Sequence, residues 1–197
     1  IANSLAAIGA ALAHGVPILT IRSAMTNFRS TFEQNPGRLN VHDAHGFRVI
    51  VDYAHNAAGL EAIGKLVRGL SHRYKRTIGS VSIAGDRRDE DIVEMGRIAA
   101  GIFDELIFRE DPYTRGRPRG EVMGLLKQGA IQAGRSPEHL HLIAGESAST
   151  AAALAMGQPG DLIVITPTDV YAAWEQVNDF KPASIRALSR APLIAAE

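Results

Sequence analysis

Cysteine is absent from all 197 residues, which excludes disulfides, thiolate nucleophiles and cysteine-ligated zinc. An excess of charge of one sign is also absent, because 21 Lys+Arg stand against 21 Asp+Glu. General nucleic-acid binders and proteins held on anionic membranes carry a basic excess, so no nucleic-acid or membrane partner is expected. No apolar run approaches the roughly 20 residues of a membrane span. Residues 1–16 have no basic n-region of a secretory signal, and a cytoplasmic protein is the expectation. Three chemical signatures are missing too: the G-x-x-x-x-G-K-[ST] loop, a G-x-G-x-x-G after a strand, and the G-x-S-x-G elbow. The chain therefore has neither a phosphate cradle of these types nor a hydrolase nucleophile. What is present is ordinary globular composition, 46% hydrophobic and 21% charged, in a length suited to one domain plus an appendage.

The chain opens on Ile1, inside a helical apolar pattern, and is expected to be cut from something longer. Leu5, Ile8 and Leu12 predict a helix over residues 3–14, ended by Gly15-Val16-Pro17. A second short helix is expected from Ile18 to Phe28. The turn chemistry of residues 33–38 marks a domain boundary. Leu39–Asp43 and Phe47–Asp52 flank Ala44-His45-Gly46 and predict a hairpin turning at His45-Gly46. Strand and helix then alternate. Helices are expected at 56–73, 91–103, 120–133, 146–156 and from Asp169 to about Val177, with strands at 77–84, 105–109, 139–143 and 162–166. This alternation predicts an α/β fold with a doubly wound, mostly parallel sheet. The expected domains are 1–34, 35–179 and a tail, 180–197, with two prolines and no clear period.

The sharpest local signal is Val49-Ile50-Val51-Asp52-Tyr53-Ala54-His55-Asn56, a buried strand running into a polar elbow that opens a helix. Ligands bind at the carboxyl ends of strands in open α/β sheets. Four post-strand loops are polar: 52–56, 86–89, 110–119 and 166–169. Together they offer carboxylates, guanidiniums, an imidazole and helix N-termini that favour anions. Each also has a plainer reading. Asn56 and Asp169 suit N-caps, His55 suits a structural histidine, 86–89 suits a cap with surface ion pairs, and Arg115, Arg117 and Arg119 suit a solvated loop. His55 has no second His or Cys near it in sequence, so no metal site is expected.

Along Asp52-Tyr53-Ala54-His55-Asn56-Ala57-Ala58-Gly59-Leu60 the chain resembles the Mur ligase superfamily, whose members join an amino acid to a carboxylate using ATP. Asn3–Phe28 resembles the helical end of that family's central ATPase domain, Asn35-Pro36-Gly37-Arg38 the link that follows, and the rest the Rossmann-like C-terminal domain. Gly85-Asp86-Arg87-Arg88-Asp89, Glu110–Arg117 and Thr166–Asp169 look most like a member that adds arginine to the β-carboxylates of a poly-aspartate backbone. The resemblance implies an acyl-phosphate mechanism, ATP and Mg2+ as cofactors, and a P-loop and metal ligands in a central domain not contained in these residues. The fragment alone would then be inactive, with no catalytic residue of its own, and an ATP-grasp half and a homo-oligomer would complete the enzyme. It also implies nucleotide contacts from Asp52, Tyr53, His55 and Asn56. Substrate contacts would come from Asp86, Arg87, Glu110, Asp111, Arg115, Arg117 and Asp169. Glu110 and Asp111 suit a cationic amino acid. Tyr113 replaces the Arg of members that add diaminopimelate, and Thr166–Asp169 replaces the family's Gly-Lys-Gly-His-Glu loop. Other Mur-type ligases, acting on peptidoglycan precursors or folates, and a non-catalytic module on the same fold are the alternatives.

Overall fold

Gly46 turns the chain with a left-handed backbone, φ +81°, a conformation glycine adopts without steric cost. It joins β1 (Asn40–His42) antiparallel to β2 (Arg48–Val51) in the register Asn40↔Val51. The computed structural model describes residues 2–182; of the expected tail, residues 183–197 lie outside these. The remaining strands are β3 (Arg76–Val81), β4 (Glu105–Phe108), β5 (Leu140–Leu142) and β6 (Asp161–Ile165). They form one six-stranded sheet in the order β1-β2-β6-β3-β4-β5, parallel throughout except for the β1–β2 hairpin. The expected doubly wound, mostly parallel sheet with an N-terminal hairpin is what the chain forms.

Alternating side chains send each central strand into two cores. Ile50, Leu106, Phe108, Leu162 and Val164 face α3 (Ala57–Leu70), α4 (Asp89–Ala100) and α5 (Glu121–Gln132). Val49, Val51, Ile78, Ile107, Ile163 and Ile165 face α6 (Glu146–Met156) and α7 (Val170–Asp179). The helices α1 (Ala2–Ala13) and α2 (Ile18–Asn27) precede the sheet, and Ile21 is the buried residue of α2.

The sequence spacing misplaced some ends. The first turn of α4 begins at Asp89, because three acidic residues there complement the helix dipole. The helix stops at Ala100, so Ile102 and Phe103 lie beyond it, with the Phe103 ring filling the space over Gly79. Strand β3 ends at Val81 rather than at 84, which frees Ser82, Ile83 and Ala84 for the edge where the loops collect. A short 3-10 turn, Ser71–Arg73, replaces the end of the expected helix 56–73.

Candidate functional site

Parallel strands bring the loops after β2, β3, β4 and β6 to one edge of the sheet. At the first loop, the Asp52 N–H donates to Ile165 O at 3.1 Å, continuing the ladder one rung past β2. Its carboxylate Oδ2 accepts the Leu39 N–H at 3.0 Å. Burial pushes the Asp52 carboxyl above the usual aspartate range, against the backbone hydrogen bonds and the Arg38 charge that pull it down. The Arg38 guanidinium lies over the Tyr53 ring, 5.5 Å from its centroid. His55 Nδ1 sits 3.1 Å from Tyr53 O. Asn56 is the N-cap of α3, its Oδ1 accepting the Gly59 N–H at 2.8 Å. Arg38, Asp52, Tyr53, His55 and Asn56 line a cavity of about 250 Å³.

A second cavity of about 250 Å³ adjoins it, and Tyr53 and His55 line both. Here the structure brings Arg87, Asp111 and Arg115 together with Ser82 and Thr168. Its floor is Arg109, 1% exposed. The Arg109 guanidinium donates to Asp111 Oδ1 at 2.6 Å and to Thr166 O at 2.7 Å, and lies 3.0 Å from Glu146 Oε2. Glu146 in turn accepts the Thr168 and Asp169 N–H groups at 2.7 and 2.8 Å. Asp111 also accepts the Thr168 hydroxyl, at 3.0 Å. One buried cation therefore ties the loop after β4 to the loop after β6 and to the start of α6. Arg109 and Glu146 carry this network, and the sequence reading singled out neither. Arg109 reads as the polar end of an apolar strand, and its partners Glu146 and Thr166 lie 37 and 57 positions further along the chain.

The other expected substrate residues are placed elsewhere. Glu110 is 2% exposed, and both of its oxygens accept the Gly120 N–H at 2.8 Å ahead of α5. Arg117 spends its guanidinium on Arg87 O at 2.6 Å, Asp89 at 2.7 Å, Glu121 at 2.6 Å and Gly85 O. It acts as a strut between two loops. Asp86 pairs with Arg115 at 2.9 Å, and that hydrogen bond holds its carboxyl below the usual range. Asp169 caps α7, accepting from Tyr171 N at 3.2 Å and Ala172 N at 3.0 Å. Among the described residues, no group of three or more His, Asp or Glu side chains could hold a metal ion, and no helix is long and apolar enough to cross a membrane.

The half-buried Asp52 carboxylate can accept from hydroxyl groups and the Arg38 guanidinium can pair with an anion. The second cavity carries charges of both signs. The chain is 41% identical over 173 residues to the cyanophycin synthetase of Trichormus variabilis, covering 88% of this chain and 19% of that protein. It is 37% identical over 184 residues to the cyanophycin synthetase of Geminocystis herdmanii, covering 93% of this chain and 21% of that protein. It thus spans about a fifth of the length of these relatives. The fold matches a crystal structure of MurF from Acinetobacter baumannii with a TM-score of 0.63 and 18% identity, over 89% of this chain and 36% of that one. A family model described as the Mur ligase, glutamate ligase domain matches residues 37–168, and the chain belongs to that family.

Proposed function

We propose that the chain is the C-terminal lobe of an ATP-dependent amide-bond ligase of the cyanophycin synthetase kind, adding arginine to the β-carboxylates of an aspartate-rich polymer. The observation that carries this reading is the 41% identity to a cyanophycin synthetase over 88% of the chain. It is supported by two adjoining cavities, one suited to a nucleotide and one to a charged amino acid. When bound, ATP with Mg2+ supplies the phosphoryl group that activates the acceptor carboxylate. Asp52 and Arg38 orient the nucleotide. Asp111, the more exposed carboxylate of the Arg109 network, takes the guanidinium of the incoming arginine as a charge-assisted pair. Arg109 and Glu146 hold Asp111 and Thr168 in place, so the pocket is formed before the substrate arrives. Arg117 keeps the loops after β3 and β4 at fixed separation. The P-loop, the metal ligands and the polymer-extending ATP-grasp half belong to other parts of the full-length enzyme in this reading, and the lobe alone is inactive.

The test is incorporation of arginine into a β-Asp-Arg primer by the full-length enzyme. ATP-dependent incorporation is expected, and Asp111→Ala should raise the KM for arginine about tenfold or more, as loss of a hydrogen-bonded charge contact does. Preference for another amino acid would move the protein to a different Mur-type ligase. Unchanged kinetics in Asp111→Ala would remove that residue from the arginine pocket.

A further inference from the structure

A groove of about 820 Å³ runs between α6 and α7, on the face of the sheet opposite α3, α4 and α5. Both helices follow parallel strands, so both start at the edge where the loops collect. Each is about 15 Å long. One end of the groove is therefore Glu146 and Asp169, beside the Arg109 network, and the other is Asp179 and Phe180. Leu154 and Ala173 give it an apolar floor, and Ala151, Ala155 and Ala172 add only methyl groups to its walls.

Its charge is of one sign. Residues 144–180 contain no Lys or Arg, although the whole chain is neutral. Four carboxylates line the groove: Glu146, Asp169, Glu175 and Asp179. The first two are engaged, Glu146 with Arg109 and two backbone N–H groups, Asp169 as the cap of α7. Glu175 and Asp179 are exposed and make no ion pair among the described residues. They stand one helical turn apart on the same face of α7.

The groove also holds an unmet polar group. Thr150 lines it at 0% exposure, and its Oγ1 has no hydrogen-bond partner among the described residues. A helical threonine hydroxyl ordinarily turns to the carbonyl four residues back. Here that carbonyl is Glu146 O, which already accepts the Ser149 Oγ–H at 2.8 Å. Buried polar groups are nearly always paired, so the Thr150 oxygen calls for a donor from the groove.

Two exposed carboxylates and an unmet acceptor select cationic donors, and a methyl-lined floor suits an aliphatic stem. A guanidinium on a long stem carries both. We propose that the α6–α7 groove is a second binding site, away from the reacting atoms, for arginine side chains already attached to the polymer acceptor. This rests on the amide-ligase reading above. In such a polymer the guanidinium lies at the far end of each side chain, and the carboxylate lies near the backbone. The cationic heads enter the groove while the carboxylates stay in water. Because the groove starts beside Glu146, it holds the finished part of the polymer while the next aspartate lies at the edge where the loops collect.

The experiment assays the full-length enzyme with β-Asp-Arg primers of two lengths, about two repeats and about eight. At about 3.3 Å per extended residue, only the longer primer reaches from the acceptor site along the groove. The parent enzyme is expected to show a lower KM for the longer primer. In the double variant Glu175→Gln, Asp179→Asn that KM should rise about tenfold or more, the loss of charge-assisted contacts. The KM values for the shorter primer and for arginine should stay at the parental level. A parent without length preference, or a variant that changes both primers equally or neither, overturns the groove site even if arginine is incorporated. A variant with a changed oligomeric state in sedimentation overturns it too, and makes the groove a contact between copies of the chain. If the enzyme incorporates no arginine, the amide-ligase reading with arginine fails separately. Calorimetry with an oligo-arginine peptide then judges the groove alone. Binding to the parent that is lost in the double variant supports the site, and equal binding to both overturns it.

Discussion

The Asp52 carboxylate sits half-buried at the carboxyl end of β2, where burial raises its pKa and the Leu39 N–H only partly compensates. The sign of its effect on stability follows. A carboxyl whose folded pKa lies above its unfolded value binds protons more tightly when folded. Its contribution is fully present below the unfolded pKa of about 3.9 and is lost as pH rises through the folded value. At neutral pH, ionised Asp52 therefore costs stability. Asp52→Asn keeps an oxygen for the Leu39 N–H and removes the charge. It should raise the melting temperature at pH 7 by about 1–2 °C, a small figure because the group is partly solvated. The gain should vanish below about pH 4, as melts across pH will show. The same substitution should raise the KM for ATP in the full-length enzyme. If Asp52 contacts the nucleotide as proposed, a stability cost at that position is expected. Asp52 was legible in the sequence because it stands at the end of an apolar run. Arg109 was not, because its meaning comes from Glu146 and Thr166, which only the folded sheet brings near it.

Helices α4 and α5 approach so closely that a Cβ on Gly96 would overlap the Leu126 carbonyl, and one on Gly129 the Val93 carbonyl. Backbone, unlike a flexible side chain, has no rotamer by which to yield. Gly96→Ala should therefore destabilise the protein despite its better helix propensity. Overpacking on this scale costs about 1–3 kcal/mol, or about 2–12 °C in melting temperature for a chain of this size. A melt that rises instead would mean the helices part freely. The consequence reaches the site, because α4 follows the loop carrying Arg87 and α5 follows the loop carrying Asp111. Element positions were largely readable from the sequence. The helix at 146–156 was placed at its observed ends, and the strands at 105–109 and 162–166 were each within one residue of theirs. The errors fell where local spacing competes with other physics. The apolar periodicity of 91–103 continues through Ile102 and Phe103, but those side chains pack from the loop after Ala100. The start of α4 was set by its acidic first turn rather than by its apolar stripe.

At the scale of the whole chain, packing allows a unit boundary to be proposed slightly earlier than residue 34. The Phe32 ring stacks on Trp174 at 5.0 Å with an interplanar angle of 3°, and meets Tyr171 edge-on at 5.2 Å. Asn40 accepts the Gly37 N–H at 2.6 Å and donates to Asn35 O at 3.1 Å. Residues 32–40 are thus held by α7 and by their own turn, whereas α1 exposes Leu5 and Leu12, and α2 exposes Ile18 and Leu19 while burying Ile21. Two truncations separate the alternatives. Removing residues 1–27 should leave a cooperative unfolding transition with a loss of at most about 1.5–3 kcal/mol, since Ile21 is the one buried side chain lost among the described residues. Removing residues 1–34 also strips Phe32 from Trp174 and should cost about a further 2–4 kcal/mol, the usual loss for truncating a packed aromatic. Denaturant melts of the two shortened chains measure the difference directly. Equal stabilities would return the boundary to residue 34, and a large loss in the first truncation would mean that α1 and α2 stabilise the sheet domain.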